Sequence, residues 1–302
     1  MEAIQKRVVV HGGTGVQGRP IAEGFLKAGF STRVITRDPE KAQSLKDAGA
    51  EIVQADLGDV TSLEKAYADV DVLALLIPFF VTPPGDPMTY MNNAMTAAKS
   101  AGIKQIIWNT GGSLLDDLIG NASVDFRYHL FAMLKASGIP YTVFAPPAYM
   151  ENLAGPWTAS AISGEDVLAY PILDGDAIGW ITVHDVAKLV VSAAQNGVTS
   201  QEIFRVNGPD ALTGEQMAAH FTNALGRTIT YRALTPDEFG QQLGMFFGET
   251  EGKGIAENYR FVQANHDLLM NYQDMTPILN TFPVTLTSLE GWVRQNAPLF
   301  NG

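Results

Sequence analysis

The sequence predicts an α/β protein built on a doubly wound parallel sheet, with a smaller and mostly helical C-terminal lobe. Three observations carry this. Six short β-branched runs in the first 145 residues alternate with segments of helical spacing. Their apolar faces are nearly continuous, as strands covered by helices on both sides require. A glycine cluster lies where the first strand hands over to the first helix, the turn that such sheets place at their ligand edge.

The strands are read at RVVV (7–10), TRVIT (32–36), EIVQA (51–55), VDVLALLI (70–77), KQIIWN (104–109) and YTVFA (141–145). Helices are expected at IAEGFLKAG (21–29), PEKAQSLKDAG (39–49), SLEKAYAD (62–69), TYMNNAMTAAKSAG (89–102) and FRYHLFAMLKASG (126–138). Several close on glycine, a common helix stop. Alternation at these lengths is the pattern of right-handed crossovers on a parallel sheet.

After Ala145 the pattern changes. PPAYMENLAGPW (146–157) is turn-rich and aromatic, and GWITVHDVAKLVVSAAQNG (179–197) reads as a short strand followed by a helix. There His184 closes the strand and Asp185 is expected to cap a helix running from Val186. From Gly208 onward, helical segments carry aromatics and methionine. The expected division gives residues 1–150 to the sheet domain, with 179–207 returning to it. Residues 151–178 and 208–302 make the smaller lobe.

With 46% apolar and 17% charged residues, the chain has the composition of a globular protein with a substantial core. Its 20 basic and 32 acidic side chains leave a formal charge of -12. Such a surface repels phosphate backbones and anionic headgroups, which argues against nucleic acid and membrane as partners. There is no cysteine, which excludes disulfides, thiolate metal sites and a cysteine nucleophile; no other spacing suggests a metal site. MEAIQKR runs straight into VVVHGG without an apolar leader, so the expected compartment is cytoplasmic.

VVVHGGTGVQGRP admits two glycine frames, Gly12-x-x-Gly15-x-x-Gly18 and Gly13-x-Gly15-x-x-Gly18. Both meet the demands of a dinucleotide loop in a Rossmann-type fold. One glycine takes a backbone shape closed to other residues, one admits a pyrophosphate, and one lets helix and strand pack closely. The helix N-terminus adds free N–H groups and partial positive charge. Gly12, Thr14, Gly15, Val16, Gln17 and Gly18 are therefore the expected cofactor loop.

In RVITRDPEKA, an arginine and an aspartate compete for the ribose. Asp38 before Pro39 is a favoured N-cap, and a carboxylate engaged on its own helix is poorly placed for a sugar diol. Arg37 is left at the strand end, where a guanidinium can fork onto a 2′-phosphate, with Lys41 as a second charge. The charge logic predicts NADP(H) over NAD(H). Asp56 and Leu57, after the third strand, either cover the adenine or stand in a turn ahead of a helix capped by Asp59 or Thr61. Ile77 and Pro78 at the end of the fourth strand and Asn109 at the end of the fifth complete the expected cofactor set.

GGTGVQG, VITRDPEKA, ADLGD and GIPYTVFAPPAYMENL together resemble the NmrA-like group of atypical short-chain dehydrogenases and reductases. That group includes quinone and triphenylmethane reductases, isoflavone-reductase-like enzymes and NADP(H)-sensing regulators. The resemblance implies a Rossmann domain preferring NADP(H), and a substrate cleft between it and a small C-terminal lobe. The wider superfamily's Tyr-x-x-x-Lys is missing: four places after Tyr128 stands Ala132. By resemblance, Arg127 holds the position where isoflavone-reductase-like enzymes carry a lysine.

The expected catalytic candidates are Thr110, Arg127 and Tyr149, with Tyr128 and His129 as further candidates. In the competing reading Tyr128 and His129 are ordinary faces of a packed helix and Tyr149 only lines the cleft. Phe79, Phe80, Tyr149, Met150 and Asn152 are the expected substrate contacts. A flat π-system needs little from a protein acid, because its reduced anion is delocalised. The expectation is thus an NADPH-dependent reductase of a small apolar or aromatic molecule; the missing Tyr/Lys pair argues against a nucleotide-sugar epimerase. The alternative is a non-catalytic NADP(H) sensor with a protein partner. Self-association as a homodimer fits either.

Overall fold

The computed structural model describes residues 6–78, 86–270 and 272–301. The chain divides into two compact units. The first comprises the described residues up to Pro146, with Val183–Arg205 and Pro277–Val284; the second comprises Pro147–Thr182, Val206–Thr276 and the described residues from Thr285 on. Against the expected division, the return to the first unit begins at Val183 rather than at 179. A short later segment joins it, because Phe282 packs edge-on against Phe144 and Phe204.

The first unit holds β1 (Arg7–Val10), β2 (Ser31–Thr36), β3 (Glu51–Gln54), β4 (Val72–Leu75), β5 (Gln105–Asn109) and β6 (Tyr141–Ala145). β7 (Ala148–Tyr149), β8 (Val167–Tyr170) and β9 (Ile178–Ile181) belong to the second unit, and β10 (Ile203–Arg205) returns to the first. The resulting seven-stranded sheet runs β10-β6-β5-β4-β1-β2-β3, and every pairing in it is parallel. β10 was not read from the sequence. Three half-buried edge residues are too few to show a period.

Helices connect the strands: α1 (Gly18–Lys27), α2 (Gln43–Asp47) after a 3₁₀ turn at Pro39–Ala42, α3 (Val60–Tyr67), α4 (Pro87–Ala101) and α5 (Ala122–Ser137). α6 (Pro156–Glu165) lies in the second unit, and α7 (Val183–Asn196) packs beside α1. Val9, Leu73, Leu75, Ile106, Trp108 and Val143 face α3, α4 and α5 in one buried cluster. The alternate residues Val8, Val10, Val34 and Ile107 are equally buried. Burial on both faces explains the unbroken apolar runs.

Asp185 does not cap α7. The helix begins three residues earlier than expected, at Val183, so Asp185 lies inside its first turn. It is fully buried, with Lys188 Nζ 2.6 Å from its Oδ1. A buried carboxylate needs a partner, and the i,i+3 lysine supplies one.

In the second unit, β11 (Ala211–Leu212), β9 and β7 form one small sheet, and β12 (Thr230–Ala233) pairs with β8. α8 (Gly214–Leu225) and α9 (Pro236–Phe247) each open with a capping box, Thr213/Gln216 and Thr235/Glu238. Its core gathers Tyr170, Trp180, Phe221, Phe239, Trp292 and Phe300. Among the described residues no helix is long and apolar enough to cross a membrane.

Candidate functional site

The sheet order places a topological switch at β1. The chain leaves β1 toward β2 and β3 on one side, then returns at β4 and continues through β5 and β6 on the other. α1 starts at the carboxyl end of β1, where such sheets open a crevice for ligands.

The glycine loop fills that position. Gly12 has φ +61°, a conformation costly for a residue with a Cβ. A Cβ on Gly13 would lie 2.5 Å from Val34 Cγ1 of β2, and one on Gly18 would run into the main-chain carbonyls of Gly12 and His11. Gly15 is exposed, its N–H donating to Gly12 O at 2.8 Å, and Val16 is 68% exposed beside it. Thr14 is half-buried. No side chain caps α1: Gln17 occupies the N-cap without a capping hydrogen bond. Its Oε1 instead accepts from Asn109 Nδ2 at 3.2 Å. An uncapped helix start behind a bare glycine backbone suits a pyrophosphate.

On the β2–β3 side, Asp38 caps the turn beginning at Pro39, its Oδ1 accepting from Glu40 N at 3.2 Å. Lys41 Nζ stands 3.4 Å from Asp38 Oδ2. Arg37 is exposed, and its guanidinium has no partner among the described residues; only its carbonyl is engaged, by Gln54 Nε2 at 3.1 Å. Replacing Asp38 by alanine is expected to cost about 1 kcal/mol of stability through loss of the cap, read as a shifted denaturation midpoint with an unchanged slope. After β3, Asp56 Oδ1 accepts from Gly58 N at 2.7 Å within a turn, and Asp59 caps α3. Asp56 and Leu57 remain half-exposed at the sheet edge.

Sequence reasoning did not single out Arg19. It reaches from α1 to Ser44 Oγ at 2.7 Å and the Lys41 carbonyl at 3.4 Å, tying α1 to the turn behind Arg37. The available signal was a basic residue directly after the last loop glycine.

On the β4–β6 side, Ile77 is buried and Pro78 half-buried just past β4; Phe79 and Phe80 lie outside the described residues. Asn109 ends β5 and Thr110 follows it, both buried. Asn109 Oδ1 accepts from Gly111 N at 3.1 Å. Thr110 Oγ1 lies 2.5 Å from Gly112 O and 3.3 Å from Phe144 O. Arg127 is buried, its Nε donating to Thr110 O at 3.2 Å. Tyr128 is half-buried and His129 exposed. Tyr149, Met150 and Asn152 stand in the second unit. Tyr149 and Met150 are buried, while Asn152 is exposed and hydrogen-bonds Tyr170.

Residues 4–290 match the NmrA-like family. The chain belongs to the NmrA-like family. It is 30% identical to the NAD(P)H azoreductase of Xenophilus azovorans, over 89% of this chain and 91% of that protein. It is also 30% identical to quinone oxidoreductase 2 of Escherichia coli (strain K12), over 78% and 80% of the two chains. The crystal structure of an NADPH-dependent quinone oxidoreductase of Escherichia coli complexed with NADPH has a TM-score of 0.79 at 28% identity, covering 97% of this chain and all of that one.

This NmrA-like chain carries a buried titratable pair under the glycine loop. His11, directly before Gly12, hydrogen-bonds through Nε2 to the hydroxyl of Tyr67. Burial pushes the His11 pKa down from 6.5 to about 4 and raises Tyr67 well above 10. Because the folded-state pKa is the lower one, the unfolded chain binds more protons between pH 6.5 and 4. Stability is therefore fully present above pH 6.5 and is lost as the pH falls toward 4, by about 3 kcal/mol for this one group. A His11→Asn variant, which cannot titrate, is expected to lose less stability than the wild type between pH 7 and 4.5 in urea unfolding. Parallel losses would refute this.

Proposed function

We propose that this protein is an NADPH-dependent reductase that passes hydride to a small, flat apolar or aromatic acceptor. One observation carries the cofactor assignment: Asp38 is engaged at the head of its own turn, while the Arg37 guanidinium beside it is exposed and without a partner among the described residues. A carboxylate at the end of β2 favours a ribose diol, whereas a guanidinium favours a 2′-phosphate. The names of the relatives, an NAD(P)H azoreductase and an NADPH-dependent quinone oxidoreductase, support the same reading.

In this reading, the backbone of Gly12–Gly18 and the start of α1 hold the pyrophosphate. Arg37 and Lys41 hold the 2′-phosphate, Asp56 and Leu57 border the adenine, and Ile77, Pro78 and Asn109 border the nicotinamide. Bound there, NADPH supplies the hydride. The Thr110 hydroxyl has backbone carbonyls at 2.5 and 3.3 Å to receive its proton, and an arginine stays protonated near neutral pH. Neither is suited to hand a proton to an alkoxide. An acceptor whose reduced anion is delocalised, such as a quinone, can take its proton from water.

NADPH oxidation against a panel of quinones, azo compounds, enones, imines and aldehydes tests the proposal. Turnover is expected with quinones or azo compounds and little with aliphatic aldehydes. Tight NADPH binding with no oxidation by any acceptor would favour a sensing role instead, to be pursued by recovery of a protein partner.

A further inference from the structure

We infer that Arg127 is a positioning residue, which fixes the loop after β5 and through it the Asn109 amide that meets the nicotinamide half of the cofactor. The inference rests on reading this edge of the sheet as an NADPH site.

Arg127 lies in the second turn of α5 and is 7% exposed. A cation that deeply buried is costly unless its N–H groups are engaged. Its Nε donates to Thr110 O at 3.2 Å, and its Cζ sits 4.5 Å from the centroid of the Phe126 ring. The loop is shaped to the guanidinium from above. Gly111 turns with φ +66°, and Gly112 is pressed so close that a Cβ there would stand 2.5 Å from Arg127 Nη2 and 2.8 Å from Cζ. No other residue type fits at 112 without moving the arginine or the loop.

The same turn orients Asn109. Its Oδ1 accepts from Gly111 N at 3.1 Å, and its Nδ2 donates to Gln17 Oε1 at 3.2 Å. Rotating the amide would break both bonds. One connected run therefore leads from α5, through Arg127 and the Thr110–Gly112 turn, to Asn109 and then to the N-cap residue of α1. Arg127 reaches the cofactor edge through this run, by a carbonyl it holds and a glycine it backs.

Calorimetric binding of NADPH and of 2′,5′-ADP, which lacks the nicotinamide, separates positioning from its rivals. Arg127→Gln and Gly112→Ala should each weaken NADPH about tenfold, the scale of one lost hydrogen bond to a charged group. Both should leave 2′,5′-ADP within about twofold of the wild type, and kcat/KM should fall by a similar factor for every acceptor. Unchanged NADPH affinity with a loss of kcat that depends on the acceptor would mean that Arg127 acts on the substrate, and would overturn the inference. Equal weakening of both ligands would reduce Arg127 to general support of the unit and would overturn it too. If Arg127→Gln does not fold, Gly112→Ala decides, since it keeps the cation and only fills the space beside it. A wild type that binds neither ligand would instead sink the cofactor assignment.

Discussion

Replacing Gly18 by alanine is expected to abolish NADPH binding and to destabilise the protein by about 3 kcal/mol, the upper range for an overpacked site. The added methyl group would meet main-chain atoms, the carbonyls of Gly12 and His11, the latter at 2.7 Å. Backbone cannot rotate aside as a side chain can. Relief requires moving α1 off β1 or distorting the turn at Gly12, and either displaces the N–H groups that would face a bound pyrophosphate. Gly15→Ala provides the contrast. Its Cβ would have one neighbour within 4 Å, Gly12 O at 3.3 Å, so stability should change little while the methyl group stands where the ligand approaches. Denaturant unfolding and NADPH titration on both variants check this. A Gly18→Ala protein that binds NADPH normally would show that the loop does not cradle phosphate.

The second large effect concerns Arg37. Arg37→Asp should weaken NADPH by about 100-fold, since a charge-assisted fork is replaced by a repelling carboxylate, a change of about 3 kcal/mol. NADH should bind better in the variant than in the wild type, because the new carboxylate can accept from the ribose hydroxyls. Asp38→Ala should leave the preference for NADPH intact and cost only the cap. Equal wild-type affinities for NADPH and NADH, or no loss in Arg37→Asp, would reverse the assignment.

The central strands were legible because their residues speak locally. VLAL is buried on both faces and EIVQ, at the sheet edge, on neither. Yet the short length and β-branched or apolar make-up of all six runs marked them locally, and all six formed strands. The Asp38 cap was legible for the same reason: Asp-Pro-Glu states a helix start within three residues. The Asp185 cap was not, because the start of α7 at Val183 left the carboxylate buried within the first turn. β10 and the two-residue strands β7 and β11 escaped notice, since they exist through pairing with partners far along the chain.

At the candidate site the division runs along the same line. Which residues stand at strand ends, and that a glycine loop precedes a helix, followed from order along the chain, because spacing alone sets where a strand stops. The partners of each side chain did not. Arg127 on a carbonyl, Asn109 bridging to Gln17 and Arg19 reaching Ser44 join residues separated by 17, 92 and 25 positions. Such contacts arise when a sheet brings remote strand ends together, and no local pattern records them.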